Sequence, residues 1–493
     1  MSPSEARCSG CRFFLWALLV LLALAALGAA IRFLSDRPVT YADPVEHFKY
    51  GSTGGERNMG FPYWLWQVLP EVCPDLLPGK GYASLGFIFE QGRDLPVGMS
   101  KRRHMGIDRV FLNCAVCHTA TVRTSPNAQP MLVVGMPANQ LDLMRFQKFV
   151  QACVNDRRFT PAQVVPRIEE QAGGLGLLDQ WLVYPLGVHL MRDGVAGLLG
   201  RLRFIHQQAD WGPGRVDTFN SAKAIFGVPF ELLPKEELVG VSDFPAIWNQ
   251  AKKQGMQLHW DGNNSRVEER NLSAAFGTGA TPKLIDHAAI ARIEAWIATA
   301  VPPVFEKYYP VDRTLAARGK ALYQKTCAAC HGQSGSDFSG EYVGTVTPIG
   351  EIGTDRGRLD SYTLQLAQNQ GMLYSADPDR RFRHFRKTYG YANAPLDGIW
   401  LRAPYLHNGS VPTLWDLLQP AAQRPKMFYR GNDLYDPRHL GFVADPPAAN
   451  DRPLFAFDTT LPGNGNAGHE GAAYGTTLPD ADKWALLEYL KTF

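Results

Sequence analysis

Two short motifs constrain this chain more than any other feature: Cys114-Ala-Val-Cys117-His118 and Cys327-Ala-Ala-Cys330-His331. In C-x-x-C-H, two thiols three residues apart on one turn can each form a thioether with a vinyl group of haem. The histidine that follows is then held beneath the iron as an axial ligand. A zinc or disulfide C-x-x-C does not need a histidine at that place in both copies. The two histidines lie 213 residues apart in a chain of 493, too long for one ordinary domain. This spacing predicts two haem domains and two covalently bound haem c groups.

The remaining cysteines are assigned by compartment. Residues 13–31 form an uninterrupted apolar run of 19, flanked by Arg12 and Arg32, enough to span a bilayer core of about 30 Å as a helix. The run exceeds the usual secretory h-region, so an uncleaved anchor is favoured over a signal cleaved near Gly28-Ala29-Ala30. Charge sets the orientation only weakly, because Arg7 and Arg12 precede the run and Arg32 and Arg37 follow it. Bacterial c-type haem is attached outside the inner membrane, which makes residues 1–12 a cytoplasmic tail and everything from 32 onward periplasmic. Cys8 and Cys11 then read as ordinary cytosolic thiols. Cys73 and Cys153 remain in an oxidising compartment, and a disulfide between them is the natural pairing.

The expected fold is mainly α: a transmembrane helix, then two cytochrome c-like haem domains with long loops. The boundaries are 1–12 tail, 13–31 anchor, 32–60 linker, 61–303 N-terminal haem domain and 304–493 C-terminal haem domain. Helical spacing of apolar residues appears at Leu141, Met144, Phe149, Val150 and Cys153, from Ala289 to Ala300, from Leu315 to Thr326 running straight into Cys327, and from Pro479 to Phe493. Strand signals are sparse. Gly 47 and Pro 35 exceed average usage and imply long irregular loops. A net charge of +3 without a dense basic patch gives no case for nucleic acid.

The ligand on the far side of each iron decides the chemistry. Two protein ligands make an electron-transfer haem, and an open face admits a small substrate. For the second haem the candidates are His469, His407 and Met427; His469 sits in a glycine-rich loop before the closing helix, where a surface histidine is the plain alternative. For the first haem His104, His189, His206, His259 and His287 stand on position alone, so it is read as the open site. Trp260 and Phe276 are candidate haem-pocket or inter-haem groups, against the plainer reading of two core aromatics. Glu268 and Glu269 read as a solvated pair before they read as acid–base groups.

These residues together resemble the bacterial di-haem cytochrome c peroxidase superfamily, and within it most closely the rubber-oxygenase-like branch. The carrying segments are 112–118, 212–219, 260–276, 398–418 with its Ala-Pro-Tyr-Leu-His-Asn-Gly core, and 468–490. The resemblance implies a reactive N-terminal haem and a low-spin C-terminal one. It implies bis-histidine ligation through His331 and His469, Trp260 near the reactive haem and Phe276 shielding its distal face. It also implies a donor cytochrome or other periplasmic redox protein as partner, and a calcium ion between the haem domains for which no ligands can be placed. Two departures stand out: a membrane anchor is unlike the secreted rubber-cleaving enzymes, and no distal peroxidase histidine is assignable.

Overall fold

The computed structural model describes residues 3–449 and 452–493, with side chains from residue 12 onward except Leu199; those of Cys8 and Cys11 therefore lie outside the described residues. The first helix, Pro3–Phe33, contains Arg12–Phe33, whose mean hydropathy is 2.6 and whose apolar window has no buried residue. By length and composition this is one candidate membrane span.

Beyond it the chain does not run as a free linker through residues 32–60. Strand β1 (Asp36–Pro38) joins an antiparallel sheet with β2 (Phe61–Pro62), β3 (Met99–His104) and β4 (Ile107–Leu112), in the order β1-β3-β4-β2. The helix Pro44–Tyr50 is capped by the Asp43 carboxylate, which accepts from the Glu46 amide. Phe48, Thr53 and Glu56 are fully buried. The low-complexity look of this stretch conceals apolar residues that complete the N-terminal core.

That core is built from Tyr63–Val72, Leu143–Asn155, Pro161–Ala172 and Tyr184–Arg201. Met144, Phe149, Val150 and Cys153 are buried along Leu143–Asn155, as their spacing predicts; Leu141 is buried just before it. Cys73 and Cys153 form the expected disulfide. The helix His287–Ile297 packs on Pro44–Tyr50.

The C-terminal part is held by two helices, Arg313–Thr326 and Asp480–Leu490. Gly319 makes their close crossing possible: a Cβ there would stand 1.9 Å from the carbonyl oxygen of Ala485. Asp312 caps the first helix by accepting from the amides of Thr314 and Leu315.

Two expectations need correction. Helices dominate, but the described residues also hold one four-stranded and six two-stranded antiparallel sheets, so the fold is mixed. The two halves also share a core: Ala120, Val122, Val133, Met136 and Trp248 pack with Phe305, Tyr323, Trp400 and Leu486. A cut at residue 303 runs through that core.

Candidate functional site

The second motif is built as expected. Cys327 ends the helix Arg313–Thr326, and Ala328–His331 makes one further turn before Gly332 reverses the chain. Nδ1 of His331 hydrogen-bonds the carbonyl of Ala394 at 2.8 Å, which leaves Nε2 as its free nitrogen. His469 faces it, with ring centroids 6.2 Å apart. Two imidazoles bound to one metal from opposite sides, at about 2 Å per bond, would stand about this far apart. His469 Nδ1 is buried with no partner among the described residues.

The loop that carries His469 is fixed from three sides. Its amide donates to the carbonyl of Ile352 at 2.7 Å. The guanidinium of Arg424, almost fully buried, donates to the carbonyls of Asn466 (2.6 Å), Gly468 (2.8 Å) and His469 (3.3 Å). Gly468, at φ +78, has no room for a Cβ, which would lie 2.3 Å from the backbone of Gly353 and Thr354. The rival ligands lie elsewhere. His407 is buried against Tyr391, Nε2 to hydroxyl 3.1 Å, and Met427 is 58% exposed on a strand.

The first motif differs. It follows strand β4 rather than a helix, and Cys114–Val116 is a single 3-10 turn. Buried Asn113 organises it, accepting from the Ala115 amide at 3.0 Å and donating to the carbonyls of Lys49 (3.2 Å) and Gly51 (3.0 Å). Nδ1 of His118 hydrogen-bonds the carbonyl of Pro245 at 2.8 Å, again freeing Nε2. Among the described residues no second imidazole faces His118. His104 lies 3.5 Å from Asp36 at the end of β3, His206 bonds Gln151, and His189 is exposed. His259 bonds Asn263 through Nδ1 at 2.5 Å, and His287 lies by Tyr374.

The helix Val267–Gly277 supplies this site with Phe276 and Arg270. Phe276 packs in the cluster that contains Cys114 and touches Tyr374 and Phe382. The side chain of Arg270, partly buried, has no hydrogen bond or ion pair among the described residues, and burial lowers it to about 10. Its charge acts on Cys114, His118 and His259. Sequence reasoning passed over Arg270, Arg424 and Asn113, because their roles depend on contacts distant in sequence. Glu269 is not a solvated partner of Glu268. It accepts from the amides of Arg383 (2.8 Å) and His384 (3.0 Å), the His384 ring (2.8 Å) and Asn264 (3.0 Å). Glu268 is exposed beside Arg266.

Trp260 stands between the motifs in a symmetric way. Its Nε1 donates to the carbonyl of Asp243 at 2.8 Å, two residues before Pro245, which receives His118. Its own carbonyl accepts from the amide of Ala392 at 2.8 Å, two residues before Ala394, which receives His331.

The donor set suits haem. Burial drives His118 to about 3, helped by Arg270, and His469 to about 3, helped by His331 and Arg424; His331 is lowered in the same way. Neutral imidazoles are the ligating form. Burial raises Cys114 to about 11 and Cys327 to about 12, and neither is in a disulfide. Among the described residues no group of three or more His, Cys, Asp or Glu is placed to hold a metal ion. The buried carboxylates near the boundary already face cations: Asp243 faces Arg430, Asp261 faces Arg358, and Asp397 faces Lys253 and Arg402.

Two family models match parts of the chain in its C-terminal half. Residues 314–362 match the family model for cytochrome c oxidase, cbb3-type, subunit III. Residues 390–429 match that for RoxA-like, cytochrome c-like proteins. The chain is similar to two uncharacterized proteins of Sinorhizobium fredii. It is 30% identical to y4iM over 296 residues, 51% of this chain and 64% of that protein. It is 27% identical to y4iJ over an alignment of 557 positions that covers 89% of each. The chain thus spans less than two thirds of y4iM. Residues 314–362 and 390–429 thus carry cytochrome c-type sequence, the kind that goes with haem c binding and redox roles.

Proposed function

We propose that this protein is a membrane-anchored periplasmic oxidoreductase with two haem c groups, of peroxidase type. Electrons enter at the C-terminal haem from a donor cytochrome or similar redox protein, and hydrogen peroxide is reduced at the N-terminal haem. In this reading Cys327, Cys330, His331 and His469 hold the electron-transfer haem, and Cys114, Cys117 and His118 hold the reactive one. The observation that carries it is the asymmetry of the two motifs: an imidazole faces His331, and none faces His118 among the described residues.

Haem supplies a redox-active iron that accepts an exogenous ligand where the protein leaves a coordination position open. The residues do the rest. The Pro245 and Ala394 carbonyls orient His118 and His331 by holding Nδ1. Phe276 keeps the face it covers apolar, and Arg270 offers an uncompensated positive charge to an anionic group of the cofactor. Trp260 links the two proximal histidines through backbone hydrogen bonds and lies on the route for electrons. Glu269 is too fully engaged to serve as acid–base group. A dioxygen-activating, rubber-oxygenase-like reaction is the second reading, favoured by the apolar Phe276 and by the RoxA-like match at 390–429.

The test is an optical and paramagnetic resonance spectrum of the ferric protein. One low-spin centre is expected together with one centre that shifts on adding cyanide. Ferrous protein should bind carbon monoxide at one haem only. His469→Ala should convert the low-spin centre to high spin. Two low-spin haems indifferent to both ligands would leave a pure electron carrier. Peroxide turnover with reduced cytochrome c, against oxygen uptake without peroxide, separates the two enzyme readings.

A further inference from the structure

We propose that the segment 177–190 docks the folded body onto the bilayer that the N-terminal helix enters, lying in the membrane interface. This rests on reading Arg12–Phe33 as a membrane span.

The segment is a π-helical turn, Asp179–Val183, continued by the helix Tyr184–Arg201. Its inner face is fixed: Val188, Met191 and Val195 are buried in the N-terminal core. Its outer face carries Leu178, Leu182, Leu186 and Leu190, four residues apart, with Leu177 and Trp181 beside them. All six are exposed, Leu177 by 76% and Trp181 by 75%. Residues at this spacing line one stripe of a helix. A contiguous apolar stripe of this kind on a soluble surface marks a binding surface.

The membrane is the occupant because of what adjoins the stripe. Arg32, at the end of the apolar helix, pairs with Asp179 within it. The next residue, Phe33, lies against Gly106 at the tip of the β3–β4 hairpin; a Cβ on Gly106 would meet its ring at 2.6 Å. Met105 on that tip is also exposed. Tyr184 feels the charges of Arg32, Asp179, Arg103 and Asp108, so the anchor exit, the hairpin and the stripe converge. A bilayer crossed by Arg12–Phe33 must therefore begin beside Trp181 and Leu178. Tryptophan and leucine on one face are what an interfacial helix presents to the headgroup boundary. Beyond Leu190 the exposed positions include Asp193 and Arg201, so the apolar stripe ends there.

Full-length holoprotein in phosphatidylcholine nanodiscs containing a diazirine-acyl phosphatidylcholine tests this by mapping labelled peptides. Labelling of 177–190 is expected within about tenfold, per residue, of Arg12–Phe33, and at least about tenfold above the exposed 376–381 loop. Leu182→Asp with Leu186→Asp leaves the buried face intact and should lower labelling of the segment about tenfold while the span stays labelled and the haem spectrum is unchanged. Label confined to Arg12–Phe33, or unchanged by the double variant, overturns the docking surface but leaves the anchor reading standing. Label in neither segment overturns both.

Discussion

At the scale of single residues, Trp260 is the group whose placement carries most consequence. Its two hydrogen bonds tie it to the peptide segments that orient His118 and His331, so a substitution there acts on communication between the motifs more than on either alone. Trp260→Phe keeps an aromatic ring and removes the donor to Asp243. The spectra of the separate haems should stay as they are. Electron equilibration between them, followed by stopped flow after reduction of one haem, should slow roughly tenfold, about 1.4 kcal/mol of barrier. An unchanged rate would take Trp260 off the route. The thiols and histidines of both motifs were legible from the sequence because thioether chemistry needs them within five consecutive residues. His469 was legible only as one of three candidates, since its meeting with His331 depends on Arg424 and Gly468, both remote in chain position from His331.

At the scale of elements, Glu269 fastens the loop at Arg383 and His384 to the helix that bears Arg270 and Phe276. Burial raises its carboxyl, but the bonds from His384, Arg383 and Asn264 outweigh burial and hold it below the ordinary 4.5. A depressed carboxyl stabilises the loop above the unfolded value and loses that effect as pH falls through the folded one. Hydrogen exchange at the Arg383 and His384 amides should thus show protection at pH 6 that persists at pH 5 and fades only below about 4.5. Glu269→Gln should remove most of it at every pH, by about 1–3 kcal/mol of local stability. Protection that ignores both changes would mean the loop is held by the Phe276, Tyr374 and Phe382 rings instead. The helices Arg313–Thr326 and Asp480–Leu490 were readable from their spacing and breakers. The strands were not: most pair over two to four residues, too short for alternation to show. Strand β4 leading into Cys114 was lost for a related reason, since Ile107–Leu112 alternates imperfectly.

At the scale of the whole molecule, the two halves share a core and a buried charge cluster, which predicts that they unfold as one body. Shared packing of this sort joins residues hundreds of positions apart and leaves no periodic trace, which is why a boundary at residue 303 looked clean. The charge cluster offers the sharper test. The Asp243 carboxylate accepts from Arg430 at 2.8 Å and lies 3.9 Å from Arg215, and both guanidiniums are almost wholly buried. Burial and the neighbouring Arg430 already lower Arg215 to about 9. Asp243→Asn preserves shape and removes the carboxylate that both guanidiniums face, which should cost about 3–5 kcal/mol, as for a buried ion pair that loses one partner. Asp243 is in the N-terminal half and Arg430 in the C-terminal half, so the loss should not be local. Thermal unfolding of the parent followed by far-ultraviolet dichroism and by haem absorbance should coincide, and in the variant both curves should move down together. Two separate transitions in the parent, or a shift confined to one signal, would show that each half stands alone and that Trp260 joins two independent domains.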